Sequence, residues 1–283
     1  MAVSPRSGSI KLMNQSDKLT VKNILNVGVL ILSVYMTGCT SGSGSGSGTT
    51  SAQLSIAKSI FSDAITDFKV NVFYEPGADP YVGNIGLTTN TTWSITQSSY
   101  QALFQNHAGR SVTVPTTLGG MTPLGAQSKT SWTGDELIAL GQSVAPILSS
   151  GNRIQVSVIF IKGLYMGNAG ILGIHFSGYP FSFVFKDVVT SVGGTSADQR
   201  YVEQATTVHE LGHVVGFTNN GVPMLTNYED GGHPKHSTNT HCVMYWAVES
   251  SSSVLASLNS FILGNNLNLF GSETLNDGRN YHP

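Results

Sequence analysis

Three residues in the stretch Thr207–Phe217 have the types and spacing for metal chemistry: His209, Glu210 and His213. On a helix, residues four apart project from one face, one turn apart, so both imidazoles point the same way. Two neutral imidazoles so placed can bind one Zn²⁺, and Glu210 beside them can act as general base toward a metal-bound water. The plainer reading is a pair of helix-surface histidines. A catalytic zinc takes three protein ligands and leaves one position open, so a third ligand must come from elsewhere. The segment from Phe217 to about His241 is rich in Gly, Asn, Thr and His, and it offers His233, His236 and His241.

The motif needs a helix. Val202, Ala205, Val208 and Leu211 recur on a helical period, which predicts a helix over Tyr201–Val215 that Gly216 stops. Upstream, Lys69–Tyr74 alternates as a strand does, and the Pro- and Gly-containing stretch 75–80 ends it. Arg153–Phe160, extended by Ile161, is a β-branched strand, and Ile171–Phe176 and Phe181–Phe185 are two more. His175 falls in one of these and is read as a packing or surface histidine. Helices are expected over Ser98–Gln105, Gly134–Ser149 (disturbed by Pro146 in its last turn) and Ser250–Leu263. Asn276–Pro283 reads as an irregular tail. Strands followed by helices, with the chemistry on one of them, predict an α+β domain: a small mixed sheet, an active-site helix and a C-terminal helix.

The chain has 283 residues, enough for a sizeable core. Its formal net charge is −2, and no basic stripe appears, which argues against a nucleic-acid partner. Charged residues make up 11% against the usual quarter or so, so Ser, Thr, Asn and Gly must cover much of the surface. The N-terminal segment carries Arg6, Lys11, Lys18 and Lys22, then an apolar run over Ile24–Tyr35, then Met36, Thr37, Gly38 and Cys39. Such a basic, apolar and small-residue series predicts a secretory signal, with an uncleaved anchor as the alternative. Thr37 and Gly38 before a cysteine resemble the bacterial lipoprotein box. That resemblance implies a signal over 1–38, lipidation of Cys39 and tethering to the outer membrane or cell surface. The Ser/Gly alternation that follows cannot build a core and reads as a linker over 39–53, with the folded domain over 54–283.

The motif helix, with Gly216, Phe217 and a methionine downstream, resembles the metzincin clan of zinc peptidases. There a third histidine follows the glycine by three residues; here that position is Asn219. The series His236, Ser237, Cys242 and Met244 is similar in register to the archaemetzincin pattern, with Ser237 where that pattern has its first cysteine. The resemblance thus implies that the third ligand has moved from 219 to 236 through an inserted loop. The leishmanolysin family carries a longer insertion at that point, and closure entropy grows only with the logarithm of loop length. His233 remains the main alternative and His241 a lesser one. Met244 resembles the Met-turn residue that floors the zinc histidines; Cys242, lacking a partner, implies a buried free thiol and no second, structural zinc. Asn219, Asn220 and Gly221 resemble bacterial membrane metalloproteases.

The function implied is a monomeric zinc endopeptidase with one catalytic ion, acting on proteins or peptides outside the cytoplasm. Two alternatives stay open. One is a non-catalytic surface lipoprotein, a binding module that kept the fold; the other is a metal hydrolase acting on a non-peptide bond. Retention of Glu210 argues against the first, because a structural site needs no general base.

Overall fold

The strands form where β-branched and aromatic residues cluster, and their burial shows which pair at the centre. A computed structural model describes residues 49–86 and 89–283, together with Met1; the expected leader, Cys39 and the linker up to Gly48 lie outside the described residues. Strand β1 (Asp67–Tyr74) alternates buried and half-buried positions over most of its length. Beyond it come four short strands: β2 (Ser111–Thr113), β3 (Thr122–Pro123), β4 (Ser131–Trp132) and β5 (Ser149–Ser150). Strand β6 (Arg153–Ile161) is followed by β7 (Leu164–Tyr165), β8 (Gly173–His175) and β9 (Phe181–Phe185).

The main sheet runs β2-β1-β6-β9-β8, with β3 beside the end of β1 and β5 beside β6. Strands β1 and β6 pair in parallel from Asp67–Arg153 to Tyr74–Phe160, and β6 pairs in parallel with β9 from Ser157–Phe181 to Ile161–Phe185. Only β8 and the short β5 run antiparallel, so the sheet is mixed. Parallel strands covered on both faces become continuous apolar runs, and all five residues of β9 are buried. Strand β8 closes the row and is therefore an edge.

Seven helices cover this sheet among the described residues. They are α1 (Ser51–Phe61), α2 (Ser94–Leu103), α3 (Gly134–Val144), α4 (Lys186–Ser191), α5 (Ser196–Val215), α6 (Val254–Leu263) and α7 (Ser272–Asn280). Helix α3 stops with Ala145 as its cap, before Pro146, where a ring without an N–H cannot continue the ladder. Helix α1 begins just ahead of Leu54; Thr50 caps it by accepting from the Gln53 N–H at 3.1 Å. The expected irregular tail is corrected: Asn276–Asn280 are the last turns of α7. Its buried positions are Thr274, Leu275, Asp277 and Gly278, so the inward stripe carries too few apolar residues to show as a hydrophobic period. Strand β8 is likewise shorter than the apolar run around it, and α6 starts at Val254 rather than Ser250. No described helix is long and apolar enough to cross a membrane.

Helix α5 carries the motif through the middle of the fold, and every residue from Tyr201 to Val215 is buried. It starts with a capping box: the Thr195 hydroxyl accepts from the Asp198 N–H, and the Asp198 carboxylate accepts from the Thr195 N–H at 2.6 Å. Where it enters the core it is held by an ion pair between Lys186 and the buried Glu203, and the Lys186 ammonium lies over the Tyr81 ring, 3.2 Å from the centroid. Its end is set by Gly216 at φ +101°, where a Cβ would lie 2.9 Å from the Asn220 carbonyl oxygen. Thr218 and Asn219 also adopt left-handed φ, so the chain turns back sharply at the end of the helix.

Candidate metal centre

The turn after α5 feeds a long loop that returns to the same helix face. The Asn219 side chain donates to Glu229 at 2.9 Å, and the Asn219 carbonyl accepts from the Lys235 ammonium. Glu229 also accepts from the Lys235 N–H at 2.8 Å, so the base of the loop is tied on both sides. Further along, the Ser237 N–H donates to the Met244 carbonyl at 2.7 Å, and the Asp230 N–H to the His236 carbonyl at 2.8 Å. These bonds fix the backbone on either side of His236. Asn219 is thus occupied in holding the loop.

The loop brings His236 to the two motif histidines. Ring centroids lie 4.7 Å apart for His209 and His213, 5.3 Å for His209 and His236, and 5.0 Å for His213 and His236. His233 is elsewhere: its ring stacks on Trp246 at 4.2 Å, and its Nδ1 faces the Asp230 carboxylate. His241 is exposed and contacts the Thr240 hydroxyl. Of the three histidines that the sequence leaves open, only His236 reaches the cluster. His175 is not part of it; its Nδ1 donates to the Phe181 carbonyl at 3.1 Å, which matches a packing role.

Backbone carbonyls set which ring nitrogen faces inward. A carbonyl only accepts, so the Val243 carbonyl, 2.6 Å from His209 Nδ1, places the proton on that nitrogen. The Pro234 carbonyl does the same for His236 Nδ1 at 3.1 Å. In both rings Nε2 is left to face the cluster, the arrangement that orients metal-binding histidines. His213 has no such carbonyl, and its buried Nδ1 has no partner.

A fourth side chain, which sequence reasoning missed, completes the group. Glu249 Oε1 lies 2.8 Å from His236 Nε2, 3.2 Å from His209 Nε2 and 3.6 Å from His213 Nε2. The ligand atoms of His209, His213, His236 and Glu249 all fall within 4.8 Å of one another. Three imidazole nitrogens and one carboxylate oxygen form a donor set suited to a divalent, borderline-soft ion such as zinc. No recurring spacing marks Glu249, a lone acid five positions past Met244 in a serine-rich stretch. Its only signal was being an acid near the motif in a chain poor in charge.

Burial dominates the electrostatics. It lowers the His213 imidazole to about 3. It opposes the charged form of His236 too, but the Glu249 charge and hydrogen bond outweigh it and raise that group. Burial would raise Glu249; the His236 charge, with the polar contacts to the surrounding histidines, holds it well below the usual carboxylate range instead. Glu210 is pushed well above that range, first by burial and then by the Glu249 charge. Its Oε1 is buried without a partner, an acid held beside the cluster with unspent hydrogen-bonding capacity.

Close backbone approaches frame the centre. A Cβ at Gly173 in β8 would lie 2.6 Å from Glu210 Cγ, so the edge strand passes directly against the glutamate. A Cβ at Gly212 would collide with the sulfur of Met244, which is fully buried. Met244 therefore packs under the α5 turn that separates the two motif histidines. Cys242 is a buried free thiol, 3.3 Å from the Thr274 hydroxyl, and burial raises its pKa.

No family model matches this chain, and no curated protein matches it. Among solved structures, it is similar to an archaemetzincin from Archaeoglobus fulgidus complexed with malonate. The identity is 16%, covering 73% of this chain and 99% of that one, with a TM-score of 0.35. An archaemetzincin from Methanopyrus kandleri is similar at 11% identity over 71% of this chain and 96% of that one, again with a TM-score of 0.35.

Proposed function

We propose that the protein is a zinc-dependent endopeptidase, with His209, His213 and His236 as ligands and Glu210 as the general acid–base. The observation that carries this reading is the convergence of three imidazoles beside a buried, unpartnered glutamate carboxyl. Zinc, when bound, would supply Lewis-acid polarisation of a scissile carbonyl and make a nearby water more acidic. Glu210 would take the proton of the attacking water and deliver it to the leaving amine. The substrate would lie along β8, the edge strand against Glu210, because an edge can accept an added strand. Phe181–Phe185 offers no such edge, being interior, paired with β6 on one side and β8 on the other.

Zinc content and hydrolysis of an unfolded protein substrate test the reading together. The wild type should hold one zinc and His236→Ala should lose it, while His233→Ala keeps it. Glu210→Gln should keep zinc and lose activity by about 10²- to 10⁴-fold, the usual contribution of a positioned acid–base group. Zinc binding with no difference in activity between wild type and Glu210→Gln would instead favour the non-catalytic binding module. The Glu249 oxygen among the histidines is the one observation on the side of that second reading, because structural sites close their fourth position.

The proposal includes a tether. Lipidation at Cys39 would place the enzyme outside the cytoplasm on a bacterial membrane, with extracytoplasmic proteins or peptides as substrates. Radiolabelled palmitate should enter the wild type and not Cys39→Ser; equal labelling of both would remove the anchor from the proposal.

A further inference from the structure

A three-histidine site with an open fourth position has no use for a second glutamate, yet a Glu249 oxygen sits where the three imidazoles meet. The backbone delivers it there. The Leu172 N–H donates to the Glu249 carbonyl at 2.9 Å, and the Ser251 N–H donates to the Gly170 carbonyl at 2.9 Å. Between them, Ile171 and Ser250 form an antiparallel bridge. The segment 249–251 is thus laid along 170–172, immediately ahead of the edge strand β8. Just before it, Ala247 and Val248 are buried, and the Ser253 hydroxyl donates to the Ala247 carbonyl at 2.8 Å. Glu249 is aimed into the cluster by a backbone pinned on both sides.

Carboxylate oxygen is an ordinary zinc ligand, and a negative charge among three imidazoles favours a divalent cation. We propose that Glu249 is a fourth protein ligand that closes the centre in the resting protein. On this view, a carbonyl, carboxylate or hydroxamate reaches the ion only by displacing the Glu249 carboxylate. The inference rests on the metal-centre reading above and adds a latch to it. The segment bearing the latch also borders the edge where a substrate strand would lie.

The test uses the full chain loaded with cobalt(II), whose visible spectrum reports ligand number and exchange. Wild type and Glu249→Ala are titrated with azide and, separately, with a metal chelator. The wild-type spectrum is expected to resist azide while that of Glu249→Ala changes, and the variant should lose cobalt affinity by roughly tenfold or more, in line with losses seen on disturbing metal sites. Glu249→Gln, which keeps the side-chain size and one oxygen, should fall between the two and gives the comparison if the alanine variant does not fold. Equal affinity and equal azide response in wild type and variants would overturn the inference and leave the three-histidine centre standing. Failure of the wild type to take up cobalt or zinc would overturn the metal-centre reading, and the latch with it.

Discussion

Gly212 stands between the two motif histidines, where α5 faces Met244. A Cβ there would overlap the Met244 sulfur and lie 3.2 Å from its methyl carbon and 3.5 Å from the Phe270 ring. Methionine is adaptable, but this one is fully buried and has little room to withdraw. Gly212→Ala is therefore expected to cost about 1–3 kcal/mol, the usual range for overpacking a filled site. It should also weaken metal binding, because the displaced methionine supports the turn bearing His209 and His213. Thermal unfolding and chelator competition measure the two effects. If both stay at wild-type values, the floor yields more easily than its burial implies. The same crowding explains a limit of sequence reading. The H-E-x-x-H spacing was visible from residue types alone, since four residues on a helix fix a common face. The approach of Met244 to Gly212, like that of Glu249 to the histidines, joins positions with no periodic relation and had to be seen in three dimensions.

At the scale of elements, legibility followed burial pattern. Strands β6 and β9 match their expected bounds because continuous β-branched and aromatic runs buried on both faces admit little else. The C-terminal half of α5 was legible for its apolar period, whereas its first turn, Ser196–Arg200, is polar and was marked only by the Thr195–Asp198 box. Pairing partners were not legible: β1 meets β6 across more than eighty residues, and no local signal encodes that. The contact between α1 and the β8–β9 hairpin shows how such distant elements are tied. Gln53 donates through Nε2 to the carbonyls of His213 and Val214, and its Oε1 accepts from the Gly178 N–H at 2.9 Å and faces His175 Nε2 at 3.3 Å. Burial lowers the His175 imidazole from 6.5 to about 4, although the Phe181 carbonyl works the other way. Between those values the unfolded chain binds a proton that the folded one excludes, so stability rises with pH there. The contribution is fully present above about 6.5 and is lost as pH falls through about 4. His175→Gln should therefore flatten the acid side of the stability curve in that window. Urea unfolding at stepped pH checks this; an unchanged slope would mean that His175 titrates normally in the folded protein.

Across the whole molecule, the C-terminal helix holds the loop that brings His236 to the candidate metal centre. Asp277 of α7 accepts from the Leu225 N–H at 2.8 Å and from the Tyr228 hydroxyl at 2.5 Å, both in the loop that carries His236. The Tyr228 carbonyl in turn accepts from the Thr238 N–H at 2.8 Å, and Glu273 of α7 accepts from the Asn239 side chain at 2.9 Å. On its far side α7 is docked to the body: Arg279 donates to the Ala102 carbonyl at 2.8 Å, and His107 Nε2 donates to the Gly278 carbonyl at 2.9 Å. The helix thus clamps a long, glycine-rich loop whose His236 must hold one position if it is to serve as the proposed third ligand, and such a loop otherwise has many conformations to lose. Removing the clamp carboxylate leaves the Leu225 N–H unpaired and takes away the acceptor of the Tyr228 hydroxyl, so Asp277→Ala is expected to cost about 1–3 kcal/mol. The loop should then open more often than the body unfolds, as weakly held segments do. Hydrogen exchange should accelerate across 225–239 while α5 stays protected, and metal affinity should fall although every ligand is intact. If exchange accelerates and affinity does not change, the ties among Asn219, Glu229 and Lys235 suffice to place His236, and α7 serves stability alone.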